Sequence, residues 1–524
     1  MPTGLRRARS SPDTVHPHCN ATVTGSRTCG PPRHGTVEAP VLHAVKVSVL
    51  MLPTPTPVAP ARPLSRTQRL DSLPFTRQHA RMLTGSGIGW ALDAMDVGLV
   101  SFLIAALAVH WQLTLPQQSL LASAGFVGMA VGAVVGGMLA DRIGRRQVFA
   151  LTLLVYGLAT GASALTTGLG LLVVLRVVVG IGLGAELPVA STLMSEFAPR
   201  RIRGRVVVWL EAFWALGWIL AAVVGATIVA SGPTGWRWAL ALGAVPAAYA
   251  LVIRWRMPES VRYLEGVGRH EQAEATVRSF ERSAGIEAAD GGAGATGAER
   301  AQTDEGTVMA EGAAAGDGAV PMPPETLRAV RASLWSPELR GRTLALWAAW
   351  AFVNLAYYGA FIWIPSLLVS QGFDLAHSFT FTLIITLAQI PGYAASAWLI
   401  EVIGRRWTLC AFLIGSALAA LVFGAASTVP VIILAGCLLS FFNLGAWGAL
   451  YAITPEIYPT AVRGSGAGAA AACGRLASIA SPLLVPALLV HGGVGVVFAV
   501  ISAAFVLGGV AAFLLPEKQG EALA

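Results

Sequence analysis

The sequence predicts an all-α membrane protein whose twelve transmembrane helices form two pseudo-symmetric six-helix bundles. Of its 524 residues, 55% are hydrophobic and only 12% are charged, and the mean hydropathy is +0.65. A soluble globular protein needs more polar surface than this composition supplies. Long apolar stretches recur along the chain, and two short motifs return at a constant offset. The net charge of +8 therefore indicates basic loops beside a membrane rather than a nucleic-acid surface.

Residues 1–75 differ from the rest of the chain and are predicted to be a disordered N-terminal tail. The segment is rich in Pro, Thr, Arg and His, as in PTPTPVAPARP, and shows no sustained apolar period. Such a composition cannot bury a hydrophobic core. The stretch HAVKVSVLML is too short and too poorly flanked for a signal peptide.

Twelve apolar windows follow the tail, each near the roughly 20 residues that cross a bilayer as a helix. They fall near 82–110, 118–140, 147–167, 169–195, 205–231, 236–257, 342–370, 376–400, 407–427, 429–453, 465–491 and 493–515. Arginines concentrate before the first window and in the gaps after the second, fourth, eighth and tenth, while the opposite gaps are short and nearly uncharged. The positive-inside rule then predicts that both termini are cytoplasmic.

The long gap between the sixth and seventh windows divides the chain. The sequence predicts an N-terminal six-helix bundle at 76–258, a cytoplasmic loop at 259–341, a C-terminal six-helix bundle at 342–516 and a C-terminal tail at 517–524. The loop begins with a helical period in RHEQAEATVRSFERSAG and continues as an Ala- and Gly-rich acidic stretch. We expect the first part to be helical and the second to be disordered.

Two motifs of the first half return in the second half. LADRIGRR at 139–146 returns as LIEVIGRR at 399–406, and EFAPRRIRG at 196–204 returns as EIYPTAVRG at 456–464. Both repeats are offset by 260 residues. Two independent motifs at one offset indicate a duplicated six-helix unit, an organisation in which transporters place their substrate site between the halves.

The motifs also carry a family resemblance. GGMLADRIGRR at 136–146 resembles the major facilitator superfamily signature between its second and third helices. RVVVGIGLG at 176–184, EFAPRRIRG and PESVRYL at 258–264 resemble the sugar-porter and organic-ion branches, although Val261 stands where proline is usual. GIGWALDAMDVGLVSF and GAELPVASTLMSEF resemble stretches of bacterial metabolite–proton symporters, including niacin and aromatic-acid transporters.

This resemblance implies a secondary active transporter, not an enzyme, that imports a small organic anion with protons by alternating access. An aromatic or heteroaromatic monocarboxylate such as nicotinate is the expected substrate. The resemblance further implies a functional monomer in the inner membrane of a bacterium, with no cofactor, no metal and no nucleic-acid partner. Three alternatives stay open: a drug– or metabolite–proton efflux carrier, a sugar–proton symporter, and a membrane sensor that has lost transport.

Charged residues near the cytoplasmic ends of the helices are predicted to form a conformational latch. In the resembled fold, such groups bridge neighbouring helices in one conformation and release them in another. Asp141 is expected to face the N-terminus of the eleventh helix, where the helix dipole stabilises an anion by about 0.3–1 kcal/mol. The predicted latch residues are Gly137, Asp141, Arg145, Glu196, Arg203, Glu259, Glu401, Arg405, Glu456 and Arg463.

Two aspartates interrupt the first apolar window, although a carboxylate at the centre of a membrane helix costs about 2.5–3.5 kcal/mol. Asp93 and Asp96 are three residues apart, so they lie on nearby faces of one helix. A buried ion requires a partner. In the resembled proton symporters, a first-helix aspartate pairs with the arginine that opens RVVVGIGLG. This implies that the pair of Asp96 and Arg176 is responsible for proton coupling, with Asp96 binding the proton. Asp93 is the alternative aspartate for this role.

Arg475 is the leading candidate for binding a substrate anion. The resembled organic-anion carriers place an arginine in the eleventh helix, and a guanidinium matches a carboxylate bidentately. The alternative is that Arg475 only balances Glu211 or Glu186. Polar and aromatic residues on faces of the fifth, seventh and tenth helices complete the predicted site: Glu211, Trp214, Asn354, Tyr357, Tyr358, Asn443 and Trp447.

Overall fold

The computed structural model describes residues 64–286, 334–459 and 462–517. Within these ranges every regular element is a helix, so the predicted all-α class is confirmed there. The remaining parts of the predicted disordered tail and loop, at 1–63 and 287–333, lie outside the described residues, as does the C-terminal tail from residue 518.

Six spans make up the first half of the chain. They run Arg77–His110, Leu115–Ile143, Arg145–Ser163, Leu169–Phe197, Arg203–Thr227 and, in two consecutive pieces, Gly235–Leu242 and Val245–Arg256. The ends of these spans lie within several residues of the ends of the predicted windows, because polar residues and glycines mark where each apolar run stops. Gly144 is the single residue between spans two and three. Its φ is +101°, which glycine adopts without a steric penalty.

Six further spans make up the second half. They run Arg340–Phe361 continued by Ile364–Ser370, Leu375–Leu387 continued by Gln389–Ile403, Arg405–Ala425, Val429–Ile453 and the 51-residue helix Arg463–Phe513. That last helix comprises spans eleven and twelve, because its backbone leaves helical geometry at Gly493 with φ 67° and ψ −169°.

The predicted count of twelve spans is confirmed. In the part of the chain that the structure describes, ten helices are long and apolar enough to cross a membrane. The 19-residue span three and the division of the last helix at Gly493 complete the twelve.

Spans two and four pack with their backbones in close contact. A methyl group placed at Gly132 would lie 2.0 Å from the carbonyl oxygen of Ile181, far inside van der Waals contact. Glycine therefore permits this approach, which is the small-residue packing typical of membrane helices. The contact fixes the position of span four, which carries Arg176 and Glu186.

The duplicated motif is repeated in hydrogen bonds as well as in sequence. In the first half, the backbone amide of Arg146 donates to Glu259 Oε1 at 3.1 Å. In the second half, the backbone amide of Arg406 donates to Glu517 Oε2 at 3.0 Å. Glu259 and Glu517 therefore play the same part in the two halves, a correspondence that the motif comparison did not reveal.

A short helix, Arg66–Ser72, precedes span one and corrects the prediction that residues 1–75 are disordered throughout. Arg66 pairs with Glu265 at 3.0 Å and with Glu274 at 2.9 Å. Arg69 pairs with Glu274 at 2.9 Å and with Glu281 at 2.6 Å. We call this network the arginine clamp. The sequence could not reveal it, because seven residues are too few to show an apolar period and the partners lie 199–212 residues further along the chain.

The acidic partners of the clamp lie at the start of the loop after span six. This part of the loop forms the helices Val261–Gly266 and His270–Ser283, at the place of the predicted helical period. Ala273, Val277 and Phe280 are buried on one face of the second helix. Phe280 stacks on Phe197 at the end of span four, with ring centroids 5.0 Å apart, so the loop helix is attached to the first half.

Candidate functional site

A cavity lies between the two halves of the chain, and we call it the central cavity. Spans one, five, seven, eight, ten and eleven supply its walls: Trp90, Glu211, Trp214, Trp350, Asn354, Tyr357, Tyr358, Tyr393, Trp447, Tyr451, Ala471 and Arg475. The lining is therefore mainly aromatic, with one acidic and one basic side chain.

Most of the predicted substrate-binding residues meet in the central cavity. These are Arg475, Glu211, Trp214, Asn354, Tyr357, Tyr358 and Trp447. Asn443 is the exception. It lies four residues before Trp447, about 6 Å along the helix axis, and its buried amide atoms have no hydrogen-bond partner among the described residues.

Three residues that line the cavity were not predicted from the sequence to belong to the site: Trp90, Trp350 and Tyr393. Trp90 and Trp350 are 260 residues apart, the offset of the duplicated motifs, so the repeat could have identified both. Tyr451 lies one turn after Trp447 on the same face of span ten. Tyr393 lies in span eight outside any motif, and only the fold places it beside the others.

Contacts between aromatic rings build the walls of the cavity. Trp90 packs against Trp214 with ring centroids 5.4 Å apart, and Trp350 packs edge-on against Trp447 at 5.7 Å. Tyr357 contacts Trp447 at 5.6 Å and accepts a hydrogen bond of 3.4 Å from Trp214 Nε1. This last bond joins span five to span seven, so it closes the cavity across the two halves.

The two ionisable groups of opposite sign in the cavity come from different halves. Glu211, on span five, is 6% exposed and lies beside the indole of Trp90. Arg475, on span eleven, interacts with the hydroxyl group of Tyr358. Glu211 and Arg475 also act on each other electrostatically, so the cavity presents an acid and a guanidinium to one enclosed space.

A buried ion pair joins spans one and four. Arg176 Nη1 donates to Asp96 Oδ2 at 2.9 Å, and Thr160 Oγ1 on span three donates to Asp96 Oδ1 at 2.8 Å. Asp96 and Arg176 are 1% and 2% exposed. The structure thus brings together the two residues that the resemblance paired, and it adds Thr160, for which the sequence offered no signal.

A second, smaller space adjoins this ion pair. Besides Asp96 and Arg176 its lining is apolar and includes Phe126 and Ile362. The rival aspartate, Asp93, is equally buried but interacts with Glu186 and Tyr156 rather than with Arg176.

Two of the predicted latch contacts occupy equivalent places in the two halves. Arg145 Nε lies 3.8 Å from Glu196 Oε1, and Arg405 Nε lies 3.2 Å from Glu456 Oε1. Each arginine and each glutamate is offset from its counterpart by 260 residues. Glu196 also accepts a hydrogen bond from Ser260 Oγ, which links the first pair to the residue after Glu259.

The other predicted latch residues are placed differently. Arg203 pairs with Asp71 of the helix before span one, at 2.5 Å, so it adds to the N-terminal contacts. Gly137 has open space where a Cβ would stand, and Glu401 lies at the exposed end of span eight. The side chains of Asp141 and Arg463 lie outside the described residues.

Comparisons with known proteins identify the family. The family described as sugar (and other) transporter matches residues 106–524. The niacin transporter NiaP of Acinetobacter baylyi is 42% identical over 459 residues, which cover 87% of this chain and 98% of that protein. The chain belongs to the sugar transporter family of the major facilitator superfamily. The predicted resemblance is thereby confirmed, and this transporter is a multi-pass membrane protein and not an enzyme.

Two further similarities fit this assignment. The transporter is 41% identical over 440 residues to the putative niacin/nicotinamide transporter NiaP of Bacillus subtilis, covering 84% of this chain and 96% of the relative. Its fold resembles the xylose transporter XylE from E. coli in a partially occluded inward open conformation. The TM-score is 0.65 at 18% identity, over 85% of this chain and 99% of that one.

Proposed function

We propose that this transporter imports a small heteroaromatic monocarboxylate, with nicotinate as the leading candidate, together with protons. The observation that carries the proposal is the central cavity, in which aromatic rings surround Arg475 and Glu211. The relatives named as niacin transporters support the same substrate class.

The aromatic walls suit a flat ring. Trp90 and Trp214 belong to the first half, and Trp350 and Trp447 belong to the second. Aromatic pairs in offset or edge-to-face contact contribute about 0.5–1.5 kcal/mol beyond the area that they bury. A planar substrate held between these side chains would therefore contact both halves, as a carrier that closes around its substrate requires.

The two ionisable side chains suit the two polar ends of nicotinate. Arg475 would bind the carboxylate through two parallel N–H···O bonds, which only a guanidinium can supply. In its protonated form, Glu211 would donate a hydrogen bond to the ring nitrogen. Benzoate lacks that nitrogen and nicotinamide lacks the carboxylate, so each tests one end of the site.

The pair of Asp96 and Arg176 is our candidate for proton coupling. While Asp96 is ionised, it accepts bonds from Arg176 and Thr160. Protonation removes the charge that holds Arg176, and a buried cation without a partner is strongly unfavourable. Loading and unloading of this proton would therefore favour different arrangements of spans one and four.

The equivalent pairs Arg145–Glu196 and Arg405–Glu456 would act as the latch of the alternating-access cycle. Each joins the start of one span to the end of another, so it can form in one conformation and break in the next. We place the transporter in the inner membrane of a bacterium as a monomer, with both termini and the latch on the cytoplasmic side.

Ligand-induced thermal stabilisation of the purified protein tests the substrate class. Nicotinate at a hundred times its Kd should stabilise the folded state by about 2.7 kcal/mol, with smaller effects from benzoate and nicotinamide at the same concentration. Stabilisation by xylose alone would favour a sugar symporter, and stabilisation by a hydrophobic amine alone would favour a drug carrier. Either result would contradict the proposal.

A further inference from the structure

A second group of buried titratable side chains lies beside the pair of Asp96 and Arg176. Asp93 on span one, Glu186 on span four and Tyr156 on span three are at most 1% exposed. The Asp93 carboxyl group interacts with the Glu186 carboxyl group and the Tyr156 hydroxyl group. Glu186 Oε1 lies 3.0 Å from the place of a Cβ at Gly89, one turn before Asp93, so it lies directly against span one.

The polar atoms of this group lack ordinary partners. Among the described residues, no hydrogen bond of ordinary length and angle reaches the carboxyl oxygens of Asp93 and Glu186 or the hydroxyl oxygen of Tyr156. Asp96, in contrast, has a donor on each oxygen. An ionised carboxylate without donors is very costly in an apolar interior. Three buried titratable groups that face one another and lack other hydrogen-bond partners among the described residues therefore indicate a site that holds a proton.

The charged and titratable neighbours of the site come from several spans. Asp96 on span one and Arg475 on span eleven act on Asp93, and Tyr249 on span six is affected by Glu186. Arg475 is the only cation among these neighbours, and it also lines the central cavity. A substrate anion bound to Arg475 would reduce the positive charge that Asp93 experiences, and it would favour proton uptake at the site.

We propose that Asp93 and Glu186 form a carboxyl pair that binds a second transported proton, separate from the proton of Asp96. Two carboxyl groups held together in an apolar interior do not both ionise. In its charged form, the pair therefore shares one proton between the two carboxyl groups. Uptake of a second proton makes the pair neutral. The Tyr156 hydroxyl group can donate a hydrogen bond to the charged form. This inference rests on the proposed function of proton-coupled import.

The charge balance of the cycle gives the proposal a distinct signature. One nicotinate anion moving with two protons carries a net charge of +1, whereas one anion moving with one proton carries none. Moving one charge through 100 mV is worth about 2.3 kcal/mol. An interior-negative potential of about 60 mV should therefore raise steady-state accumulation roughly tenfold in the wild-type transporter.

The test is nicotinate accumulation in proteoliposomes at a fixed pH gradient, with the membrane potential set by a potassium gradient and valinomycin. The wild type should respond to the potential. The double variant Asp93→Asn/Glu186→Gln keeps the shape of the fully protonated pair, so it should retain counterflow exchange and pH-driven uptake and lose the response to potential. Glu271→Gln, an exposed change on the loop helix, is the matched control and should behave as the wild type.

The outcomes separate this inference from the proposed function. Wild-type uptake that follows the pH gradient but ignores the potential would overturn the second proton and leave the proposed function standing. A double variant that keeps the wild-type response to potential would also overturn it. Infrared spectroscopy of the purified protein provides a measurement that needs no transport. The proposal predicts a protonated-carboxyl C=O band that the double variant loses, and a band unchanged in that variant would refute it.

Discussion

Replacing Arg475 with lysine tests the substrate site most sharply, because the change keeps the charge and removes the guanidinium geometry. Arg475 lines the central cavity beside Tyr358. Lysine offers a point charge that cannot form two parallel bonds to a carboxylate. Hydrogen bonds to charged groups contribute about 1.5–3 kcal/mol each. Losing one should weaken nicotinate binding roughly tenfold to 150-fold.

Titration calorimetry with nicotinate and nicotinamide measures this effect. Nicotinamide has no carboxylate, so its Kd should change by less than about threefold if Arg475 binds the carboxylate. Arg256→Lys, at the exposed end of span six, is the matched control. A nicotinate Kd within threefold of wild type in Arg475→Lys would refute the assignment, and it would favour the alternative in which Arg475 balances Glu211.

Three further predictions address proton coupling, specificity and the arginine clamp. Asp96→Asn mimics the protonated acid, so counterflow exchange should survive while accumulation falls about tenfold per unit of pH gradient; unchanged accumulation would move coupling away from Asp96. Glu211→Leu removes the hydrogen-bond donor, so it should narrow the ratio of Kd values between nicotinate and benzoate, measured by calorimetry, and an unchanged ratio would remove Glu211 from recognition of the ring nitrogen. Burial by itself would raise the pKa of Glu274, but hydrogen bonds from Arg69, Arg66 and Arg278 together outweigh burial and lower the pKa to about 2. Because the folded-state pKa lies below the ordinary value of 4.5, this stabilisation is complete above about pH 4.5 and is lost as the pH falls towards 2. Glu274→Gln should therefore lower the free energy of unfolding at pH 7 by about 1 kcal/mol or less, and a melting-temperature difference that persisted at low pH would contradict this.

The fold followed closely from the sequence, because bilayer thickness fixes the length of a span and basic loops mark its ends. The offset of 260 residues correctly indicated a duplicated unit, and the hydrogen bonds of Glu259 and Glu517 extend it. The helix Arg66–Ser72 was missed, since ion pairs with a distant loop, rather than an apolar period, hold it in place.

Residues of the site could be predicted from the sequence only where they belong to a motif or share a helix face with other candidate residues. Asp96 and Arg176 were paired through the resemblance, and the structure places them 2.9 Å apart, although their role in coupling stays a prediction. Thr160 and Tyr393 carry no motif, and they reach the site only through tertiary packing. Asn443 shared a helix face with Trp447, but the face pattern does not say how far along the span the cavity extends. The expected contact of Asp141 stays untested, because its side chain lies outside the described residues.

Proton-driven uptake of labelled nicotinate by the purified wild-type transporter in proteoliposomes tests the central claim most directly. With the membrane potential held at zero and the outside made more acidic, the internal concentration should rise at least tenfold above the external one per unit of pH gradient. A protonophore should return it to equality. Uptake no greater than in empty liposomes, or an internal level that is the same with and without the gradient, would contradict the account.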